Sequence, residues 1–278
     1  MQPLTGGVSA DVYRLQLSDA GDSQTPHPRS LVLRIHGASH SGHPAALEFA
    51  LLQALQDAQF PVPEVLMVNE GKAGSTAPYL LMSFMPGSSR IAPATIGARI
   101  RTMARTLDAI HRSTTTGLPR LPERLEPFPE AFDYWPQGED WQPLRSQLEA
   151  CQIPAYSEPA LLLHGDFWPE NLLWQGSEIS AVLDWEDAAL GDPLADVAAA
   201  GVELRYLFGK SAMTQFKTAY AEHRAIDPVR LAAWQIYCAA AAQRFMGGWG
   251  LPAARVAHMR REALASISEA SEALLQRS

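Results

Sequence analysis

In the stretch from Leu161 to Asp196, LLLHGDFWPENLLWQGSEISAVLDWEDAALGDPLAD, two aspartates and an asparagine stand at spacings that suit work on a phosphate. Leu172 to Trp174 and Ile179 to Leu183 read as strands around the turn Gln175 to Glu178. An antiparallel hairpin there pairs Trp174 with Ile179 and carries Asn171 toward Val182, so Asn171 and Asp184 meet at its open end. Asp166 lies on the loop that enters the hairpin, after the apolar run Leu161 to Leu163. Two oxygen ligands and a third carboxylate suit a small hard cation such as Mg²⁺, which keeps several waters and binds phosphates with one or two protein carboxylates. Phosphoryl transfer needs that metal, a basic group on the nucleotide and a carboxylate that orients the acceptor hydroxyl, the role that fits Asp166. Taken singly, each aspartate reads as a turn cap or a strand end.

HGDFWPEN (His164 to Asn171), LDWE (Leu183 to Glu186) and GDPLAD together resemble the signature of the aminoglycoside phosphotransferase and choline kinase group, distant relatives of protein kinases. The spacing is that of the kinase catalytic loop and metal-binding motif: Asp, four residues, Asn, then Asp thirteen further on. The resemblance implies an α+β, two-lobed protein kinase-like fold, with a small β-rich N-lobe and a larger, mainly helical C-lobe. It implies ATP or GTP with Mg²⁺, Asp166 as catalytic base, Asn171 and Asp184 as metal ligands, and His164 as a brace for the loop. Asp192 and Asp196 cap and complement a helix start and, by the same resemblance, support the loop. In the first lobe, Gly7 and Ser9 within GGVSADVY lie where backbone amides approach nucleotide phosphates, and Arg34 in LVLRI corresponds to the basic strand residue, with Glu48 as its helix partner. YLLMSFMPG resembles the hinge, where the backbone near Ser83 to Met85 meets the adenine.

Two features depart from the pattern. Arginine stands at position 34 where the better-known kinases have lysine, and the two are not equivalent at a close phosphate contact. The glycine turn begins five residues after Met1, which leaves a very short first strand and the completeness of the N-terminus open. These features motivate an alternative reading, a catalytically weak nucleotide-binding pseudokinase or regulatory protein, against which Asp166, Asn171 and Asp184 argue. Gly165 occupies the place of the arginine that precedes the catalytic aspartate in protein kinases, which argues against control by a phosphorylated activation segment.

The elements that must position these residues are legible in outline. Val12 to Leu17 and Leu31 to Ile35 are strand-like around a polar hairpin connection from Ser18 to Arg29. Pro44 to Ala58 repeats apolar residues at helical spacing, with Phe60-Pro61 beyond its end. VPEVLMV and YLLMSF add two strands, Pro86-Gly87 breaks the pattern, and Ile96 to His111 is a long amphipathic helix. Thr114 to Pro143 is irregular, an insertion or a substrate-facing arm. The expected domains are a nucleotide-binding lobe, 1–85, and a catalytic and substrate-binding lobe, 86–278.

Composition narrows the partners. The 278 residues carry 22 basic and 30 acidic side chains, a net charge of −8, which gives a nucleic-acid or anionic-membrane footprint no global support. Cys151 and Cys238 form no CxxC pattern, and the first thirty residues lack the apolar stretch of a signal peptide, so a cytoplasmic protein, monomer or homodimer, is expected. The expected acceptor is a small hydroxylated molecule: aminoglycoside-like, an amino alcohol or a sugar. Phe132, Tyr134, Trp135, Trp168, Trp185 and Trp249 either line its pocket or, as is commoner for aromatics, fill the core, and Glu186 and Asp187 either favour an amine or face solvent.

Overall fold

The computed structural model describes residues 1–4, 10–17, 29–37, 42–71, 77–92 and 95–277, with only the backbone of Arg29. Gly7 and Ser9 lie outside the described residues. The chain forms two compact units, the first from Met1–Ser88, Thr116–Arg120 and Leu172–Asp187, the second from Ser89–Thr115, Leu121–Asn171 and Ala188–Ser278. The hairpin after Asn171 thus clusters with the N-terminal residues.

The first unit is built on a five-stranded antiparallel sheet in the order β1-β2-β3-β5-β4, formed by β1 (Gln2–Pro3), β2 (Ala10–Leu17), β3 (Arg29–His36), β4 (Val65–Asn69) and β5 (Tyr79–Ser83). Helix α1 (Ala45–Asp57) follows Pro44, whose fixed φ of −56° suits a helix start. Its Leu51, Leu52 and Leu55 are buried, as are Leu80 and Met82 of β5. The helix ends at Ala58, after which Gln59 takes a left-handed φ of 59° and Phe60 N–H bonds back to Leu55 O at 2.9 Å. On β3, Arg34 sits in register with Val12 on one side and Leu80 on the other, a central position that fixes its backbone.

Strands β8 (Leu172–Gln175) and β9 (Glu178–Val182) make a hairpin with the expected pair Trp174–Ile179 and with Gly176 left-handed at 63° in the turn, but a bulge between Leu173 and Trp174 shifts the register beyond it, so that Leu172, and not Asn171 as expected, lies opposite Val182. Three contacts bind it to the rest of its unit. Val182 N–H donates to Pro61 O at 2.7 Å, Ser88 and Trp174 exchange backbone bonds of 3.1 Å, and Ser180 Oγ donates to Pro86 O at 2.9 Å. Gly87, at φ 147°, allows this approach: a Cβ there would stand 2.9 Å from Ser180 Oγ.

The second unit is mainly helical: α2 (Ile96–His111), α3 (Gln142–Glu149), α4 (Leu194–Phe208), α5 (Lys210–Ala221), α6 (Pro228–Phe245) and α7 (Ala253–Leu275). Its core lies among α4, α6 and α7, with Val202, Ala233, Ile236, Ala240, Ile267 and Leu274 buried together. Helix α6 starts cleanly because Asp227 accepts from Val229 N–H and Arg230 N–H and Pro228 occupies the first turn. The residues from Thr114 to Pro143 are largely irregular, with short 3₁₀ turns at Glu130–Tyr134 and Glu139–Trp141. A small sheet, β6-β10-β7, joins β6 (Glu123–Arg124), β7 (Leu161–Leu163) and β10 (Ala189–Gly191). Strands of two or three residues carry no periodicity, which is why the sequence gives no sign of it. Among the described residues no helix is long and apolar enough to cross a membrane, and Cys151 and Cys238 are free thiols.

Gly191 is the point of closest approach in that sheet: a Cβ there would fall 1.9 Å from Arg124 O. We expect Gly191→Ala to destabilise the protein by about 2 kcal/mol or more, and Gly248→Ala, with open space around it, to have little effect. Thermal and denaturant unfolding of the two variants checks this.

Candidate functional site

The second unit presents the loop that follows β7. Strand pairing ends at Leu163, and the next two N–H groups are collected by one buried carboxylate: Asp196 Oδ2 accepts from His164 N–H at 2.7 Å and Oδ1 from Gly165 N–H at 2.9 Å. Gly165 supplies the left-handed φ of 85° that the bend requires. Asp196 also meets His111 Nε2 at 3.3 Å, and His111 Nδ1 pairs with Tyr220 Oη at 2.7 Å, tying the loop to α2, α4 and α5. Burial alone would raise the Asp196 pKa; the hydrogen bond and charge of His111, with His164, outweigh it and hold the carboxyl below its usual range. His164 is itself buried and its Nδ1 accepts Asp166 N–H at 3.2 Å. Asn171, at the end of a short 3₁₀ turn, donates Nδ2 to both Asp166 O and Asp166 Oδ2 at 2.9 Å. Asp166 is therefore half-buried and held from both sides. Asp192 plays a structural part: its Oδ1 accepts Leu194 N–H at 2.9 Å, and its Oδ2 takes Trp234 Nε1 at 2.7 Å and Arg230 Nε at 2.9 Å.

The first unit gathers the other predicted residues around Arg34. Its guanidinium bonds Glu48 Oε1 at 3.2 Å, Asp184 Oδ1 at 2.7 Å and, through Nη2, Glu186 Oε2. Burial works against the charge on Arg34, but Glu48, Asp184 and Glu186 together hold its pKa above the ordinary value. Asp184 has a left-handed φ of 64°, an uncommon conformation that a non-glycine residue keeps only where the surroundings impose it. The hairpin exit and Arg34 are those surroundings. At the hinge, Ser83 N–H donates to Glu64 O at 2.8 Å and Phe84 N–H to Ser30 O at 3.1 Å, whereas Met85 N–H makes no backbone hydrogen bond among the described residues. Ser83 Oγ accepts Glu64 N–H at 2.8 Å. Ser83 is thus fixed to Glu64 by both its amide and its hydroxyl.

A divalent cation fits this donor chemistry. The three carboxylates around Arg34 and its one guanidinium carry a formal balance of −2. Asn171 uses its nitrogen on Asp166, which leaves its side-chain oxygen, the atom a hard cation takes, out of those bonds. Among the described residues no group of three or more His, Cys, Asp or Glu side chains is arranged to hold a metal ion.

Two of the aromatic candidates for the acceptor pocket lie in the core instead. Trp135 and Trp185 are core residues, 2% and 0% exposed, with Trp185 Nε1 bonded to Val182 O at 3.2 Å. Phe132, Tyr134 and Trp249 pack against the helical core with part of their surface exposed, and Trp168 is half-buried. Glu186 is buried beside Arg34; Asp187 is exposed. Glu203 on α4 escaped the sequence reading because a lone glutamate in a helix has no distinguishing pattern. It is half-buried, and its pKa is pushed up to about 8, first by burial and next by the Asp166 charge, with Glu170 adding and Arg255 opposing.

Comparison with known proteins gives a consistent picture. The family model described as "Phosphotransferase enzyme family" matches residues 1–234. Acyl-CoA dehydrogenase family member 10 of Mus musculus is 31% identical over 217 residues, 69% of this chain and 19% of that protein. Viomycin phosphotransferase of Streptomyces vinaceus is 26% identical over 163 residues, 52% of this chain and 57% of that protein. The chain therefore spans under two thirds of either relative. Among solved structures, a thermostable mutant of aminoglycoside phosphotransferase APH(4)-Ia in ternary complex with AMP-PNP and hygromycin B aligns with a TM-score of 0.64 at 18% identity, covering 96% of this chain and 92% of that one. A choline/ethanolamine kinase family protein from Mesorhizobium loti aligns with a TM-score of 0.61 at 22% identity, over 98% and 91% of the two chains. These likenesses establish the two-lobed, kinase-like α+β fold.

The raised Glu203 pKa has a definite sign. Because its folded pKa of about 8 exceeds its ordinary 4.5, the folded state binds the proton more tightly, and stability falls as pH rises between these values. Glu203→Gln removes that loss. We expect the variant to equal the wild type near pH 5 and to unfold at a higher temperature than the wild type at pH 8 to 9, as measured by thermal unfolding across pH.

Proposed function

We propose, from the premise that the chain belongs to the phosphotransferase enzyme family, that it is a small-molecule kinase transferring the γ-phosphate of ATP or GTP to a hydroxyl group. The observation that carries this reading is the loop from His164 to Asn171, in which Asp166 is held by Asn171 and by the His164–Asp196 framework. A carboxylate so fixed suits the orientation of a nucleophilic hydroxyl, because phosphoryl transfer is chiefly a matter of positioning and charge stabilisation.

In the proposed step, Asp166 accepts a hydrogen bond from the acceptor hydroxyl. The acceptor oxygen bonds to the γ-phosphorus, the bond from that phosphorus to the β,γ-bridging oxygen breaks, and the proton passes to Asp166 as the nucleoside diphosphate leaves. Asn171 and Asp184 are the residues that would hold Mg²⁺, which supplies charge neutralisation on the phosphates when bound. Arg34, kept in place by Glu48, provides the basic group for the phosphates. Met85 N–H offers a donor to the base, and the backbone at Gly7 and Ser9 is assigned to the phosphates from the sequence pattern.

The structural neighbour solved with AMP-PNP and hygromycin B supports a nucleoside triphosphate donor and a hydroxylated small-molecule acceptor. The named activity of viomycin phosphotransferase points the same way.

The test is Mg²⁺-dependent consumption of ATP and GTP by the purified protein across aminoglycosides, peptide antibiotics, amino alcohols and sugars. One class is expected to stimulate turnover, chelation of the metal to abolish it, and Asp166→Ala to lower kcat by about 10²- to 10⁴-fold with nucleotide binding retained. Unchanged turnover in Asp166→Ala would remove Asp166 from its role. Tight nucleotide binding with every acceptor inert would favour the catalytically weak alternative.

A further inference from the structure

Arg34 occupies the place where the sequence pattern leads one to expect lysine, and its surroundings account for the difference. A lysine presents one ammonium at the end of a flexible stem; an arginine presents a planar fork with separate nitrogens. Both ends of the fork are used. Nη1 bonds Glu48 and Asp184, and Nη2 bonds Glu186. A single ammonium has its three N–H donors on one nitrogen and lacks the second nitrogen that meets Glu186 here.

Glu186 is also anchored through its backbone. Its carbonyl accepts His43 N–H at 2.8 Å, on the segment that leads into α1, the helix carrying Glu48. Gly42 makes that approach possible: a Cβ at position 42 would lie 2.6 Å from Glu186 Cβ and 2.8 Å from its Cγ. One residue thus touches the guanidinium with its side chain and the approach to α1 with its main chain. Its acidic neighbour in sequence, Asp187, is exposed, so burial is particular to Glu186.

We infer that Glu186 is a positioning residue, which holds Nη2 of Arg34 and the entry to α1 so that an arginine can serve as the nucleotide-phosphate contact. It acts through Arg34 and is assigned no contact with the acceptor. The inference rests on the proposed kinase function.

The experiment titrates wild type, Glu186→Gln, Arg34→Lys and the double variant with a fluorescent ATP analogue in the presence of Mg²⁺, and measures thermal unfolding of each. Glu186→Gln keeps the size of the side chain and the backbone bond to His43 and removes the charge. It is expected to weaken nucleotide binding about tenfold, as is Arg34→Lys, and the double variant is expected to bind about as weakly as either single one, because the two residues act as one unit. Glu186→Asp, which keeps the charge, is expected to recover part of the loss and serves in place of Glu186→Gln should that variant not fold. Nucleotide affinity in Glu186→Gln equal to wild type, or penalties that multiply in the double variant, would overturn the inference. A merely structural role would lower the unfolding temperature and leave the coupling with Arg34 at zero. Failure of the wild type itself to bind the analogue would overturn the kinase reading, a result distinct from wild-type binding with Glu186→Gln unaffected.

Discussion

One guanidinium shared by three carboxylates organises the first unit. Arg34 lies on a central strand, Glu48 on α1, and Asp184 and Glu186 just past the hairpin, so a single buried side chain ties together elements far apart in sequence. Buried ion pairs contribute little net stability when intact, but loss of one partner typically costs about 3–5 kcal/mol because the remaining charges are left uncompensated. Removal of Arg34 would leave three acidic groups facing one another. The arrangement therefore specifies geometry: Asp184 can hold its left-handed backbone only while the hairpin and the guanidinium define its place. The same set is acidic on balance, the charge that the proposed divalent cation would offset.

The second unit solves a different problem with similar means. The backbone after β7 leaves the sheet and turns sharply, so its N–H groups lack ladder partners. Asp196 supplies them from the first turn of α4, and His111 and Tyr220 in turn fix Asp196. A loop made rigid by a buried carboxylate can present Asp166 and Asn171 in one fixed relation, which is what a reaction dominated by positioning requires.

Much of this was legible in the sequence, and the exceptions have physical causes. The hairpin and its Trp174–Ile179 pair followed from strand-like runs around a glycine turn, whereas the bulge that sets Leu172 opposite Val182 has no mark in the residue pattern; the helix from Ile96 to His111 followed from its amphipathic period and the lack of internal proline or glycine beyond Gly97. Arg34 and Glu48 could be paired through the family resemblance alone, since a strand arginine and a helix glutamate fourteen residues apart otherwise read as solvated. The sheet β6-β10-β7 could not be read because its strands are too short to show alternation. Nor could the burial of Glu186: within Asp184 to Asp187 three acidic residues surround one tryptophan, and only the hairpin exit decides which side chain turns inward. Trp135 and Trp185 illustrate the converse, since a large aromatic looks the same in sequence whether it fills a core or lines a pocket.

We propose that the acidic set around Arg34 seats a metal–nucleotide complex. Calorimetric titration with a non-hydrolysable ATP analogue, with and without Mg²⁺, in wild type and Asp184→Asn, tests it most directly. Mg²⁺ is expected to tighten binding to the wild type by at least about tenfold and Asp184→Asn to lose this enhancement. Binding that ignores Mg²⁺, or an enhancement that survives in Asp184→Asn, would contradict it.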